Sequence, residues 1–278
     1  MSEIKIYPIS GSIGVEIHNI DLSKELSEGV FTEIRGAFIE HGLIFFRDQE
    51  LTPDDHLRFA KHWGEININR FFAKVEGYDQ IAEVRKEPNQ EINIGGAWHT
   101  DHSYDQIPAM GSILVAKETP KIGGDTLFTN MYKAYESLSG GMKATLESMN
   151  ACHSSRHVFG TQTGYSEASN QRIGNPELAT QDAIHPVVIT HPESGRKALY
   201  VNPEFTVNFE NWTEEESKPI LDYLCEHSIR SNNITRFKWK PGSIAFWDNR
   251  CTWHYALNDY PGERRLMHRI TIEGSALN

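Results

Sequence analysis

The chain has 278 residues, 38% of them hydrophobic and 23% charged, with a formal net charge of −11 and a pI of about 5.6. A chain of this length buries a substantial core in one domain. Its acidic surface argues against nucleic acid or an anionic membrane as partner, although a few buried arginines still make a local positive site.

The elements follow in chain order. Ile4–Ile17 alternates loosely and reads as two strands turning at Gly11. Ser27–His41 carries Val30, Ile34, Ala37 and Phe38 at helical spacing, and Gly42 is its natural C-cap. The apolar run Leu43-Ile44-Phe45-Phe46 reads as a buried strand. Thr52-Pro53-Asp54-Asp55 opens a second helix with an N-cap Thr, Pro at the first position and acids in the first turn, and Gly64 stops it. Beyond Gln80 the pattern becomes short strands: Gln80–Arg85, Met110–Lys117, Asp125–Asn130, Ala183–Thr190, Ala198–Asn202, Thr235–Lys238, Ser243–Asp248 and Leu266–Ile272. Two helices interrupt them, Met131–Met149 and Thr213–Ser228, the latter with a Thr213/Glu216 capping box. Asn150–Thr180 is polar and weakly periodic and reads as an insertion or lid, because strand patterns resume after it. The expected architecture is a mainly β double-sheet jelly roll with flanking helices, forming one domain over residues 1–278.

Three scattered cysteines, Cys152, Cys225 and Cys251, lack any C-x-x-C spacing and read as reduced thiols. The N-terminal stretch shows no basic-then-apolar leader. No run reaches the roughly 18 apolar residues that span a bilayer. The expectation is a cytoplasmic protein.

The sharpest local signal is Trp98-His99-Thr100-Asp101. A His and an Asp two apart on an extended segment point to one face and can take adjacent positions on one metal. A distant His completes a 2-His-1-carboxylate facial triad, the donor set of non-haem iron(II) oxygenases. The candidate is His254, in Trp247-Asp248-Asn249-Arg250-Cys251-Thr252-Trp253-His254. Arg265 and Arg269 follow, four apart and so on one face of a strand, each offering a rigid fork for a carboxylate. Asp248-Asn249 reads as a structural tie, and Arg264 as a surface charge.

Together these motifs, with Ile13-Gly14-Val15-Glu16-Ile17, Gly123-Gly124-Asp125-Thr126, Leu199-Tyr200-Val201-Asn202 and Arg264-Arg265-Leu266-Met267-His268-Arg269, make the chain resemble the TauD/TfdA family over nearly its whole length. The resemblance implies a double-stranded β-helix, Fe(II) as metal, 2-oxoglutarate as co-substrate and O2 as oxidant, with a homo-oligomer (dimer or tetramer). It makes His99, Asp101 and His254 the iron ligands. It places Thr126 and Arg265 on the distal carboxylate of 2-oxoglutarate, and Arg269 near its iron end and the substrate anion. In taurine-specific members a His holds the sulfonate in the segment matching Gly64–Phe72; Asn69 stands there instead, which argues against taurine itself.

His153–Gly160 and the Glu216–His227 helix resemble the branch acting on aryloxyalkanoates. Candidate substrate contacts are Asn69, Arg70, Phe72, His102, Tyr104, Phe159 and Arg269. The reading is a dioxygenase hydroxylating an aliphatic C–H of a small organic acid, such as an aryloxyalkanoate or sulfonate. The alternatives are a tailoring oxygenase on a larger apolar natural product and a non-enzymatic β-barrel binding protein.

Overall fold

The computed structural model describes residues 4–161 and 173–277. Nine strands form the larger sheet. Its order runs Lys5–Pro8, Val15–His18, Leu43–Phe46, Ile244–Asp248, Gly111–Glu118, Arg265–Ile272, Tyr78–Lys86, Lys74–Val75, with Ile66–Asn67 also paired to Arg265–Ile272. Pairing is antiparallel except between Val15–His18 and Leu43–Phe46. Opposite it stands a three-stranded sheet in which Thr126–Asn130 is flanked by Ile234–Phe237 and Thr252–Ala256. A second three-stranded sheet joins Asp182–Pro186, Asn150–Ser154 and Thr206–Phe209, and a hairpin joins Val188–Thr190 to Lys197–Leu199.

Strand periodicity explains the layers. Leu43 and Phe45 face inward with Leu114, Ala245, Trp247 and Met267, and meet Phe128 and Phe237 of the smaller sheet and Trp239 just beyond it. Phe45 stacks on Phe237 at 3.9 Å across this interface. The alternate residues Ile44 and Phe46, with Ile113, Val115, Phe246 and Ile270, face outward and are covered by Ile34 and Phe38 of helix Glu28–His41 and Phe59 of helix Pro53–Lys61. Two facing antiparallel sheets with helices on the outside make a jelly roll, as the strand pattern implies.

The local punctuation acts where the sequence places it. Ser27 caps the first helix, and Gly42 ends it at φ 65°, where an added Cβ would also lie 2.6 Å from Cys251 Sγ. Thr52 with Asp55, and Thr213 with Glu216, form reciprocal capping boxes.

Some expectations need correction. Met131–Met149 is two helices, Met131–Glu136 and Gly140–Leu146, because the Ser139 hydroxyl accepts from Met142 N and starts a new one. Ala183–Thr190 is two strands in different sheets, the chain changing partners at Pro186-Val187. Of the expected insertion, Asn150–Ser154 is a strand and Arg156–Phe159 a short helix, while 162–172 lies outside the described residues. Among the described residues, no helix is long and apolar enough to cross a membrane.

Candidate active site

Segment 95–99 runs beside strand Thr252–Ala256. Ala256 N donates to Gly95 O at 2.8 Å, His254 N to His99 O at 2.8 Å, and His99 N to His254 O at 3.2 Å. On its other side His254 pairs with Phe128, and Ala256 with Thr126. Residues opposite one another share a face, so His99, His254 and Thr126 open toward the same interior. Arg265, Met267 and Arg269 alternate inward on strand Arg265–Ile272, as the spacing implies.

These registers bring the donor atoms of His99, Asp101 and His254 to within 4.8 Å of one another, with His99 Nε2 3.8 Å from Asp101 Oδ1. All three residues are buried. His99 Nδ1 donates to Ala97 O at 2.8 Å, which turns Nε2 toward Asp101. Burial, with His99 beside it, holds the His254 pKa well below its ordinary value, so this imidazole is neutral and able to ligate. Burial, the largest influence, would raise the Asp101 pKa, but the surrounding groups, Arg269 foremost, together outweigh it and keep the carboxyl well below its usual range. Asp101 Oδ1 accepts from Arg269 Nη1 at 3.1 Å and Oδ2 from the Ser112 hydroxyl at 2.8 Å. Thr100 Oγ1 donates to Asn249 O at 2.6 Å, tying the His-Thr-Asp segment to the turn before His254.

The triad opens on a cavity of about 800 Å³, open space at its mouth included. Thr126, Arg265 and Arg269 reach it, and Phe72, Tyr104 and Phe159 wall it. Val158, which the sequence also offers as an apolar pocket residue, joins that wall, as do Phe205 and Ile173, which were not singled out in the sequence; Phe205 is held by its N–H on Asn202 Oδ1 at 2.9 Å.

Asn69, Arg70 and His102 do not line the cavity, because each side chain has another partner. Asn69 Oδ1 accepts from Phe71 N at 2.9 Å and Phe72 N at 3.0 Å, a turn that aims Phe72 at the cavity. Arg70 Nη2 donates to both Asp105 oxygens, at 2.7 and 2.9 Å, and His102 Nδ1 lies 2.9 Å from Asp105 Oδ2. Asp105 absorbs the charge that Arg70 offers a ligand.

A second group, His191, Asp248 and Cys251, has metal-ligand chemistry and spacing. Arg250 already fills it, donating from Nε to Asp248 Oδ1 at 2.8 Å and from Nη2 to Oδ2 at 2.6 Å, while His191 Nε2 takes Oδ2 at 3.0 Å. The guanidinium stands where a cation would, and the group ties the turn carrying His254 to the neighbouring sheet.

The match to known proteins runs the length of the chain. The family model described as "Taurine catabolism dioxygenase TauD, TfdA family" matches residues 5–271. The chain belongs to the TauD/TfdA family. Among its relatives, an alkylsulfatase of Acinetobacter baylyi is 33% identical over 98% of this chain and 86% of its own length. An alpha-ketoglutarate-dependent sulfate ester dioxygenase of Pseudomonas putida is 30% identical over 98% of this chain and 90% of its own. The crystal structure of a taurine dioxygenase from Burkholderia xenovorans, 32% identical, superposes with a TM-score of 0.82 over 99% of this chain and 92% of that one. This TauD/TfdA member is a non-haem Fe(II)- and 2-oxoglutarate-dependent dioxygenase, an enzyme using Fe(II), 2-oxoglutarate and O2, and its substrate is a small molecule.

The donor atoms fit those groups. Two imidazoles and one carboxylate suit Fe(II), and among the described residues no thiolate stands in the triad. Arg265 is buried with Nε on Gly124 O at 3.1 Å, and its Nη2 has no partner among the described residues. Burial lowers the Arg265 pKa, whereas Asp248 outweighs burial at Arg250 and raises it. Among the described residues Arg265 is a buried cation in no ion pair, the state of a site made for an anion.

Proposed function

We propose that His99, Asp101 and His254 hold the iron, that Thr126 and Arg265 take the distal carboxylate of 2-oxoglutarate, and that the enzyme oxidises small anionic substrates with an apolar body, of the alkyl sulfate ester and sulfonate class. One observation carries the reading: three buried ligand groups converge within 4.8 Å beside a buried guanidinium that still has a free donor.

When bound, the iron supplies O2 activation coupled to oxidation of 2-oxoglutarate to succinate and CO2. The chain's own residues bind, orient and exclude water. Asp101 contributes a fixed negative charge, because Arg269 and Ser112 hold its two oxygens separately. His99 and His254 would hold the metal through imidazole nitrogens and Asp101 through a carboxylate oxygen, the donor set that suits Fe(II). Arg265 offers its free Nη2 to the far carboxylate, a charge-assisted bond from a buried guanidinium.

Arg269 has Nη1 on Asp101 and a buried Nε without a partner among the described residues, so it retains a donor for an anionic head group. Phe72, stacked 4.5 Å from the Arg269 guanidinium, with Tyr104, Phe159 and Phe205, surrounds an apolar body. A sulfate or sulfonate head on an apolar chain matches that combination, and the sulfate ester relatives support it. Which C–H the walls hold nearest the iron selects the product.

The test is a panel with Fe(II), ascorbate and 2-oxoglutarate: a medium-chain alkyl sulfate, the matching alkanesulfonate, an aryloxyalkanoate and the neutral alcohol. Succinate formed per substrate consumed reads the coupling. Near one-to-one coupling is expected with the alkyl sulfate, with release of sulfate and aldehyde, because a hydroxyl placed on the carbon bearing the ester collapses to a carbonyl. Coupling confined to large neutral compounds overturns the anionic class.

A further inference from the structure

Trp239 stands just past strand Ile234–Phe237 and is buried, yet it does not line the cavity. Its indole Nε1 donates to Thr126 Oγ1 at 2.9 Å. The direction is unambiguous, since an indole N–H only donates. Its ring is packed edge-on against Phe237 at 4.8 Å, which fixes the indole plane, and lies 5.7 Å from the Arg265 guanidinium carbon. One side chain therefore touches both groups that face a carboxylate in the proposed function.

A threonine hydroxyl has one proton and two lone pairs, and it rotates to suit its surroundings. Left free, it can turn a lone pair toward an incoming carboxylate, which is acceptor-only, and repel it. With one lone pair taken by Trp239, the proton is what remains to be aimed, and no described residue accepts it. Chained hydrogen bonds also polarise one another, so an accepting hydroxyl donates more strongly.

We propose that Trp239 is a positioning residue for the co-substrate: its N–H commits the Thr126 hydroxyl to donate into the cavity, preorganising the Thr126–Arg265 pair for the distal carboxylate of 2-oxoglutarate. This rests on the reading that Thr126 and Arg265 bind that carboxylate. Aromatic bulk alone does not perform this role, which separates it from packing.

The experiment measures binding rather than turnover. Mn(II)-loaded protein is titrated calorimetrically with 2-oxoglutarate and, separately, with oxalate, which chelates the metal but has no distal carboxylate. Trp239→Phe keeps a ring against Phe237 and Arg265 while removing the N–H. It is expected to weaken 2-oxoglutarate about five- to tenfold, the scale of one hydrogen bond, and to leave oxalate unchanged. Thr126→Val is expected to do the same, and the double variant to lose no more than Thr126→Val alone.

If Thr126→Val weakens 2-oxoglutarate and Trp239→Phe does not, the positioning role is overturned while the binding assignment stands. If Thr126→Val has no effect, both fall. Equal losses for oxalate and 2-oxoglutarate, or additive effects in the double variant, also overturn the role. Should Trp239→Phe fail to fold, replacing the indole by its benzothiophene isostere makes the same test with shape preserved.

Discussion

His99 and His254 hold each other by main chain: each N–H donates to the other's carbonyl, and their rings lie 4.0 Å apart. The two proposed metal ligands, remote from each other in sequence, are thus fixed as one cross-strand pair, and their spacing does not depend on either imidazole. His99→Ala and His254→Ala are therefore expected to keep the fold by circular dichroism. Metal affinity should fall well beyond the roughly 10–100-fold cost of losing an outer hydrogen-bond partner, and 2-oxoglutarate turnover with it. A variant that folds, binds Mn(II) normally and still consumes 2-oxoglutarate would falsify the triad.

Ser112 locks one oxygen of Asp101 from the strand behind it. Without that bond the carboxylate can rotate or turn both oxygens to the metal. Ser112→Ala is expected to reduce Mn(II) affinity about 10–100-fold, with an unchanged melting temperature to within a few degrees. Unchanged metal affinity would show that Arg269 alone sets the carboxylate.

Asp248 is fully buried between Arg250 and His191. Burial opposes its charge, but Arg250 outweighs burial and holds the carboxyl well below the ordinary range. Because the folded pKa is depressed, the pair's stability is present above the unfolded pKa of about 4 and is lost as pH falls below it. Asp248→Asn leaves the Arg250 charge buried with less compensation and is expected to cost about 3–5 kcal/mol at neutral pH. Urea unfolding followed by tryptophan fluorescence checks this, and a loss below about 1 kcal/mol would mean the network adds little.

His153 and His56 carry a second acid sensitivity. Burial, aided by His185, lowers His153 from 6.5 to about 3. Burial, aided by His268 and Lys117, does the same for His56. Between pH 6.5 and 3 the unfolded chain binds protons that the folded one refuses, so stability falls as pH falls through that window. The slope is up to about 1.4 kcal/mol per pH unit for each histidine. Urea curves at pH 7 and pH 5 should show the loss, and His153→Gln should reduce it. Identical slopes in the two proteins would mean His153 protonates without opening the fold.

Phe159 and Arg70 differ in whether the side chain faces the cavity or is paired away from it. Phe159 is at the wall and stacks at 4.4 Å on Phe71 behind it. Phe159→Ala is expected to raise the substrate KM severalfold and to leave the 2-oxoglutarate KM unchanged. Arg70→Ala is expected to change neither KM in steady-state assays, since its guanidinium is paired with Asp105; a selective rise in substrate KM would return Arg70 to the site.

The parts legible in the sequence share a short physical range. A cap is a contact over three residues, so Ser27, Thr52 and Thr213 announce helix starts that the structure keeps. The continuous apolar run Leu43–Phe46, buried on both faces, and the inward repetition at Arg265 and Arg269 depend only on strand geometry. The break inside Met131–Met149 was written just as locally, in Ser139-Gly140-Gly141, but helical spacing on both sides masked it. Strand Thr252–Ala256 was missed as an element although its histidine was picked out; its one local signal is the β-prone Thr252-Trp253-His254-Tyr255.

The sequence by itself determined the donor types, the Fe(II)-suited chemistry, the jelly-roll strand pattern and the presence of arginines for acidic ligands. Only the tertiary structure decided which polar groups are spoken for. Asp105 removes Arg70 and His102 from the cavity, a turn consumes Asn69, and Ser112 and Trp239 stand behind Asp101 and Thr126. The reason is register. Side-chain type and face are properties of a few neighbouring residues, but a hydrogen-bond partner is set by which strands pair and at what offset, and that is decided by contacts between segments remote in the chain.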